Sequence, residues 1–258
     1  MKRIMMLSTT GEFLGKAALV TIFTFLAVLK LASINGRIAA WDQSHGAEKY
    51  VDLSADVAGL GFLILLLMLT TTRLRPNRTA EGWEPRISAL VGSFLSFSLV
   101  ALPQAELGPA WRATGVILIA VGMVLSILVL ARLGRSFSIV PQARRLVTTG
   151  PYAYVRHPLC LCEEIAIVGV AVVHFSALAV LILVIQWIFQ LRRMVNEERL
   201  LRSHFPEYAS YATATPRIIP WPRHGAIVRL AGRAIAPSAY FPRGAKRALG
   251  AETDQAEA

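Results

Sequence analysis

The chain has 258 residues, 55% of them hydrophobic and 17% charged, with a mean hydropathy of +0.52. Soluble domains carry about 45–50% apolar and roughly 25% charged residues, so this composition excludes an ordinary soluble domain built on one core. Lys and Arg total 27 against 16 Asp and Glu, a net charge of +11, which leaves a membrane protein with cationic loops or a nucleic-acid binder. Cys160 and Cys162 stand too close for an easy disulfide and supply no cysteine-rich zinc site.

A membrane span takes about 20 mostly apolar residues. In chain order, runs that meet this length lie near 17–34, 53–72, 87–103 and 113–131. Two shorter runs, 158–175 and 176–191, are almost contiguous and predict a tight helical hairpin with its turn near His174–Ser176. The basic start Met1-Lys2-Arg3 allows a signal peptide, but the first apolar run begins late, contains Lys30 and is long enough to span. The fold class expected is therefore all-α: an integral membrane bundle of about six spans with a C-terminal helical hairpin.

Positive charge orients such a bundle, because cytoplasmic connections retain Lys and Arg. Alternate connections hold 23 of the 27 basic residues, and the intervening ones hold three. Both termini are expected in the cytoplasm, in a plasma or inner membrane. The long fourth connection and the C-terminal tail then share that side. The apolar runs and this one-sided charge argue against a nucleic-acid partner and for membrane lipids. No internal repeat or low-complexity segment is present.

The informative stretch is 133–222. His157-Pro158 predicts a helix start, since proline suits the first turn. The free N–H groups of that end suit a carboxylate or phosphate, with Arg156 and His157 as added donors, although His157 is equally read as a plain helix-start residue. Glu163 and Glu164 follow one turn in. Carboxylates within a span are costly and face a cavity or a partner; these two either pair with an arginine at the interface or line a polar pocket. Further on, helical spacing sets Arg193 against Glu197 and Glu198 against Arg202, which alone reads as two surface ion pairs worth a few tenths of a kcal/mol. Leu191, Met194, Val195, Leu200 and Leu201 give the same helix an apolar face.

Leu146-Val147-Thr148-Thr149-Gly150-Pro151-Tyr152, Arg156-His157-Pro158-Leu159-Cys160, a hairpin, Arg193…Glu197-Glu198 and Glu207-Tyr208…Tyr211 occur in that order. The ordered set resembles the isoprenylcysteine carboxyl methyltransferases and related phospholipid methyltransferases over about 90 residues. The first three spans carry no such signature. The resemblance implies S-adenosylmethionine as methyl donor, with Arg144, Arg145, Leu146, Val147, Tyr152, His157, Pro158, Leu159, Cys160 and Glu197 holding it. It implies cytosolic cofactor-binding segments and Arg193 as the catalytic residue facing the acceptor; Glu163, Glu164 and Glu198 are the candidates for the substrate or pocket. No metal is implied. Two departures stand out: Cys160 replaces the tyrosine of the R-H-P-x-Y pattern, and Phe205-Pro206-Glu207-Tyr208 is one residue shorter than the usual F-G-x-E-Y.

The expected activity is methyl transfer at the membrane to a lipophilic acceptor, such as an isoprenylcysteine carboxylate or a phospholipid. The alternatives are an NADPH-dependent enzyme like the sterol reductases, whose pattern reads R-H-x-N-Y, and a transporter or scaffold without activity. The expected organisation is N-terminal spans over 1–132, a methyltransferase-like core over 133–222 and a basic cytosolic tail over 223–258. Seven Lys and Arg and no acid fall in 217–247. Within it, 226–236 predicts either an inner-leaflet contact or a tail whose charge only fixes topology. The last eight residues form an acidic tip.

Overall fold

The computed structural model describes residues 2–43, 48–74 and 78–219. The helices are α1 (Lys2–Ala39), α2 (Glu48–Thr72), α3 (Glu84–Phe94), α4 (Pro109–Leu133), α5 (Pro158–Val173), α6 (Ala177–His204) and α7 (Tyr208–Ala214). The fold is all-α. Among the described residues, one extended pairing joins β1 (Arg78–Thr79) to β2 (Gln142–Ala143), antiparallel, with Arg78 opposite Ala143. Residues up to 220 form one compact unit; the predicted inner-leaflet stretch 226–236 and the acidic tip lie outside the described residues.

Among the described residues, four helical stretches are long and apolar enough to cross a membrane: Phe13–Ala39, Lys49–Thr72, Pro109–Ser136 and Ala177–His204. The expected count of about six is thus not confirmed, and two of the expected spans differ from the structure. The run 87–103 is not one helix: α3 stops at Phe94 and Leu95–Ala101 continues as a 3-10 helix. Gly92, Ser93, Ser96 and Ser98 explain the break, since glycine and serine are poor helix formers and serine competes for backbone carbonyls. Ser98 Oγ does so, donating to Leu95 O at 2.7 Å. At the hairpin, α5 has 16 residues, about 24 Å of helix against a hydrocarbon core of about 30 Å. Its partner α6 does not stop at Leu191 but runs unbroken to His204, so the span and the Arg193–Glu198 motif share one helix. The turn falls where expected, with Ser176 capping α6 by accepting from Ala179 N at 3.1 Å.

Small residues set the closest helix pair. Gly115 and Gly122 of α4 face Gly169 and Ala166 of α5; a Cβ at Gly169 would lie 2.6 Å from Gly115 O and 2.8 Å from Ile119 N. Such seams let membrane helices approach without a hydrophobic driving force between them. In the remaining pairs, α2 packs on α4, α1 on α2 and α3 on α6.

The α3–α6 contact is polar instead. Gln186, Gln190, Arg193 and Asn196 recur at helical spacing and are all buried. Gln186 Nε2 donates to Gly92 O at 3.0 Å and to Glu164 Oε1 at 2.8 Å. Asn196 Nδ2 donates to Glu84 Oε2 at 2.8 Å and Ser88 Oγ at 3.1 Å. Each bond satisfies a group that would be costly to leave unpaired in an apolar medium. The seam fixes α6 in rotation and so determines which way Arg193 points.

Candidate active site

Segment 134–157 returns across the ends of α4 and α6 and builds a wall with two faces. Phe137 and Ile139 point into the helix bundle, where they are 4% and 6% exposed. Ser136, Ser138 and Val140 point the other way, into a cleft. This alternation is what an extended chain imposes. The segment is bounded by Gly134 (φ +56°) and Gly150 (φ +63°), a left-handed conformation that glycine adopts without steric cost.

The cleft is lined by Arg145, Leu146, Val147, Tyr152, His157 and Glu197, six of the ten residues assigned to the cofactor by the resemblance. Leu201, Tyr208 and Tyr211 complete it. The other four lie elsewhere. Arg144 is buried and donates from Nη2 to Gln142 Oε1 at 2.5 Å. Pro158, Leu159 and Cys160 are buried in the first turn of α5, with Leu159 in the main apolar cluster beside Tyr152 and Phe137. The cleft encloses about 60 Å³, room for a few waters.

One carboxylate holds the cleft together from behind. Glu198 is 3% exposed. Arg217 Nε donates to its Oε1 and Arg217 Nη2 to its Oε2, both at 2.9 Å. Arg156 Nη1 donates to Oε2 at 3.2 Å, and His157 Nε2 to Oε1 at 3.1 Å. The backbone repeats the link: Arg156 N and His157 N donate to Pro216 O and Arg217 O at 2.9 and 3.1 Å. Tyr211 Oη donates to Tyr152 O at 2.6 Å. Together α7 and residues 215–217 strap down the turn before α5. Burial, reinforced by the nearby charge of Glu198, pushes the Tyr208 hydroxyl up to about 12, so it stays protonated at neutral pH.

These contacts overturn the reading of Arg193–Glu197 and Glu198–Arg202 as surface ion pairs. Arg193 and Glu198 are both buried, and burial rewards partners on other elements over neighbours along the helix. Arg193 Nη1 donates to Ser93 Oγ at 3.1 Å and Gln190 Oε1 at 3.3 Å, and its Nε has no partner. Glu198, expected at the substrate, lines neither the cleft nor the cavity below; its place is the strap. Glu164 is held by Gln186 and also lines neither.

On the bundle side of the wall lies a second, larger cavity of about 420 Å³. Phe137, Ile139, Glu163 and Arg193 bound one end, and the rest is mostly apolar side chains of α1, α2, α4 and α5. The cleft and the cavity thus meet back to back across residues 137–140, with Arg193 on the cavity side and Glu197, one helical turn on, in the cleft. Arg217, Gln186, Gln190 and Asn196 were not singled out from sequence. The three α6 residues were legible as a polar stripe at helical spacing in an otherwise apolar helix.

Residues 111–208 match the phospholipid methyltransferase family. That segment runs from the first turn of α4 to the first residue of α7, and it contains the wall, both assigned faces of α6 and the lining of the cleft except Tyr211. The resemblance drawn from the motifs is borne out over it. Two relatives are similar over part of their length. The nickel-cobalt-cadmium resistance protein NccN of Alcaligenes xylosoxydans xylosoxydans is 36% identical over 80 residues, 31% of this chain and 38% of its own. The cobalt-zinc-cadmium resistance protein CzcN of Cupriavidus metallidurans is 37% identical over 76 residues, 29% of this chain and 35% of its own. The chain thus spans less than two-fifths of the length of either. Among the described residues, no group of three or more His, Cys, Asp and Glu stands placed to hold a metal ion.

Proposed function

We propose that the chain is an S-adenosylmethionine-dependent methyltransferase that acts on a lipophilic acceptor entering from the bilayer. The observation that carries the reading is the back-to-back pair of cavities: a polar-rimmed cleft on one side of a one-strand wall and an apolar cavity ending in Arg193 on the other.

The donor set of the cleft fits the cofactor. Glu197 is a half-buried carboxylate suited to its ammonium. Arg145 and the N-terminus of α5 suit its carboxylate. Leu146, Val147 and Tyr152 offer apolar surface to its adenosine. When bound, it supplies an electrophilic methyl group on a sulfonium. Ligand sites of this class occupy about 300–1,000 Å³, so entry requires the wall segment to shift outward, and its ends are the two glycines already at positive φ.

The protein's task is then chiefly to align acceptor and methyl, which accounts for large rate factors without acid–base chemistry. Arg193, buried with a free Nε, orients an anionic acceptor group at the end of the cavity. For an acceptor carrying a proton, Glu163 on the same cavity end is the group within the site that takes it. Glu198 acts through His157 and the strap and is a positioning residue. A scaffold without activity would need neither the cavity nor a buried arginine on its wall with an Nε left without a partner. The reading extends to a multi-pass protein with both termini cytoplasmic, the cleft facing the cytosol.

The test is transfer of labelled methyl from S-adenosylmethionine to membrane lipid extract by the purified chain. Label should enter the organic phase with wild type and fall at least a hundredfold with Arg193→Ala. No labelled product from any extract, or full activity of the variant, would overturn the proposal.

A further inference from the structure

Charged residues also bound the other end of the large cavity, where the resemblance assigns nothing. Lys30 Nζ donates to Asp56 Oδ1 at 2.9 Å, and Arg37 Nε to Asp56 Oδ2 at 2.6 Å. Arg37 Nη1 and Arg112 Nη2 both donate to Asp52 Oδ2, at 2.9 and 2.5 Å. The five side chains join α1, α2 and α4 and all line the cavity. A clamp between helices would explain the ion pairs. It does not explain which partner faces the open space. The Asp52 and Asp56 side chains are only 8% and 10% exposed, while Lys30, Arg37 and Arg112 keep 34%, 41% and 33%. The carboxylates line the cavity too but are the more covered, and three cations outnumber two carboxylates there. Charges at bilayer depth are expensive and mark ligand pathways.

The two ends are separated by a definite length. Along α4 the cavity is lined by Arg112, Val116, Ile119 and Met123, a single helical face. On the antiparallel neighbour, Ala166 abuts Gly122, which puts Glu163, three residues before Ala166, near the level of Leu125. Thirteen residues of α4 therefore separate Arg112 from the Glu163–Arg193 end, about 20 Å at 1.5 Å per residue. Most of the remaining lining is apolar.

From this geometry we infer that the cavity binds a double-headed amphiphile. Its reactive group sits at Glu163 and Arg193, its apolar chain runs along α4, and an anionic second group, carboxylate or phosphate, sits on Lys30, Arg37 and Arg112. The inference rests on the proposed function only in calling the first end reactive. It separates this ligand from an ordinary membrane lipid, whose tails would end among apolar groups.

The experiment is equilibrium binding to the full chain in neutral-lipid nanodiscs without methyl donor, with empty discs as blank. The probes are 12-aminododecanoate, double-headed, and dodecylamine, single-headed. The double-headed probe should bind at least tenfold more tightly. The gap should fall below threefold in the triple variant Lys30→Met, Arg37→Met and Asp56→Asn, which leaves Asp52 paired with Arg112 and no cation in excess. Equal affinity of the two probes for wild type, an unchanged gap in the variant, or no saturable binding of either probe would overturn the inference. If the variant fails to fold, the wild-type comparison decides alone. Because no donor is present, the outcome is independent of whether the chain transfers methyl groups.

Discussion

Removing Glu198 should damage the chain far more than removing the arginine that holds it best. Glu198→Ala leaves three cationic or donor groups facing a space they were built around. Arg156 and His157 are the costly ones, with side-chain exposures of 11% and 5%. Breaking a buried pair by deleting one partner costs about 3–5 kcal/mol, because the other charge stays buried. Arg217 makes the shortest and only bidentate contact, yet its side chain is 40% exposed, so water screens it. Arg217→Ala should cost no more than about 1 kcal/mol, as exposed pairs do. The predicted gap of about 2–4 kcal/mol is well over tenfold in the folding equilibrium. The assay is reversible unfolding in mixed micelles with increasing sodium dodecyl sulfate, read by tryptophan fluorescence. Glu198→Gln separates charge from shape: it should fall between the two, since it keeps a hydrogen-bond acceptor for His157. Equal destabilisation by Glu198→Ala and Arg217→Ala would refute the argument that burial, not contact length, decides the energy.

Other outcomes follow from single contacts. Gly169→Leu should abolish folded protein in size-exclusion chromatography, because its Cβ alone would meet the α4 backbone at 2.6 Å and overpacking by far smaller amounts costs about 1–3 kcal/mol. Tyr211→Phe deletes the 2.6 Å bond to Tyr152 O; it should lower stability by about 1–2 kcal/mol and raise the KM for the methyl donor more than it lowers kcat. Gln186→Leu strips Glu164 and Gly92 O of their donor and should cost about 1–3 kcal/mol in the same micellar unfolding assay, without changing donor affinity. Burial pushes the Tyr208 hydroxyl up to about 12, so its neutral form is favoured in the fold. Stability from Tyr208 should therefore be constant below about pH 10 and fall as pH rises from 10 towards 12, and unfolding followed over that range should show this loss absent in Tyr208→Phe.

Local signals were the most legible part of the sequence. Pro158 marked the start of α5, and Ser176 the start of α6, because proline and a capping hydroxyl act within one turn. The family motifs placed Arg145 to Val147, Tyr152, His157 and Glu197 in one cleft, since they lie on short connections with few ways to fold. What failed were inferences from hydropathy alone. The run 87–103 is apolar throughout its length, but its serines and Gly92 break the helix, and hydropathy is blind to that. Glu198 was misplaced for a different reason. Helical spacing shows only neighbours on the same helix, while its partners Arg156 and Arg217 come from segments 42 and 19 residues away. The charged end of the large cavity was visible in part, as Asp52 and Asp56 one turn apart beside an apolar run. Only the fold shows that Lys30, Arg37 and Arg112 converge on them.

The central claim, that the cleft behind the wall takes the methyl donor, is tested most directly by titration calorimetry of the full chain with S-adenosylhomocysteine. The account predicts saturable binding to wild type and at least tenfold weaker binding to Glu197→Ala, with Arg193→Ala unaffected because it faces the other side of the wall. No binding to folded wild type, or equal affinity for wild type and Glu197→Ala, would contradict it.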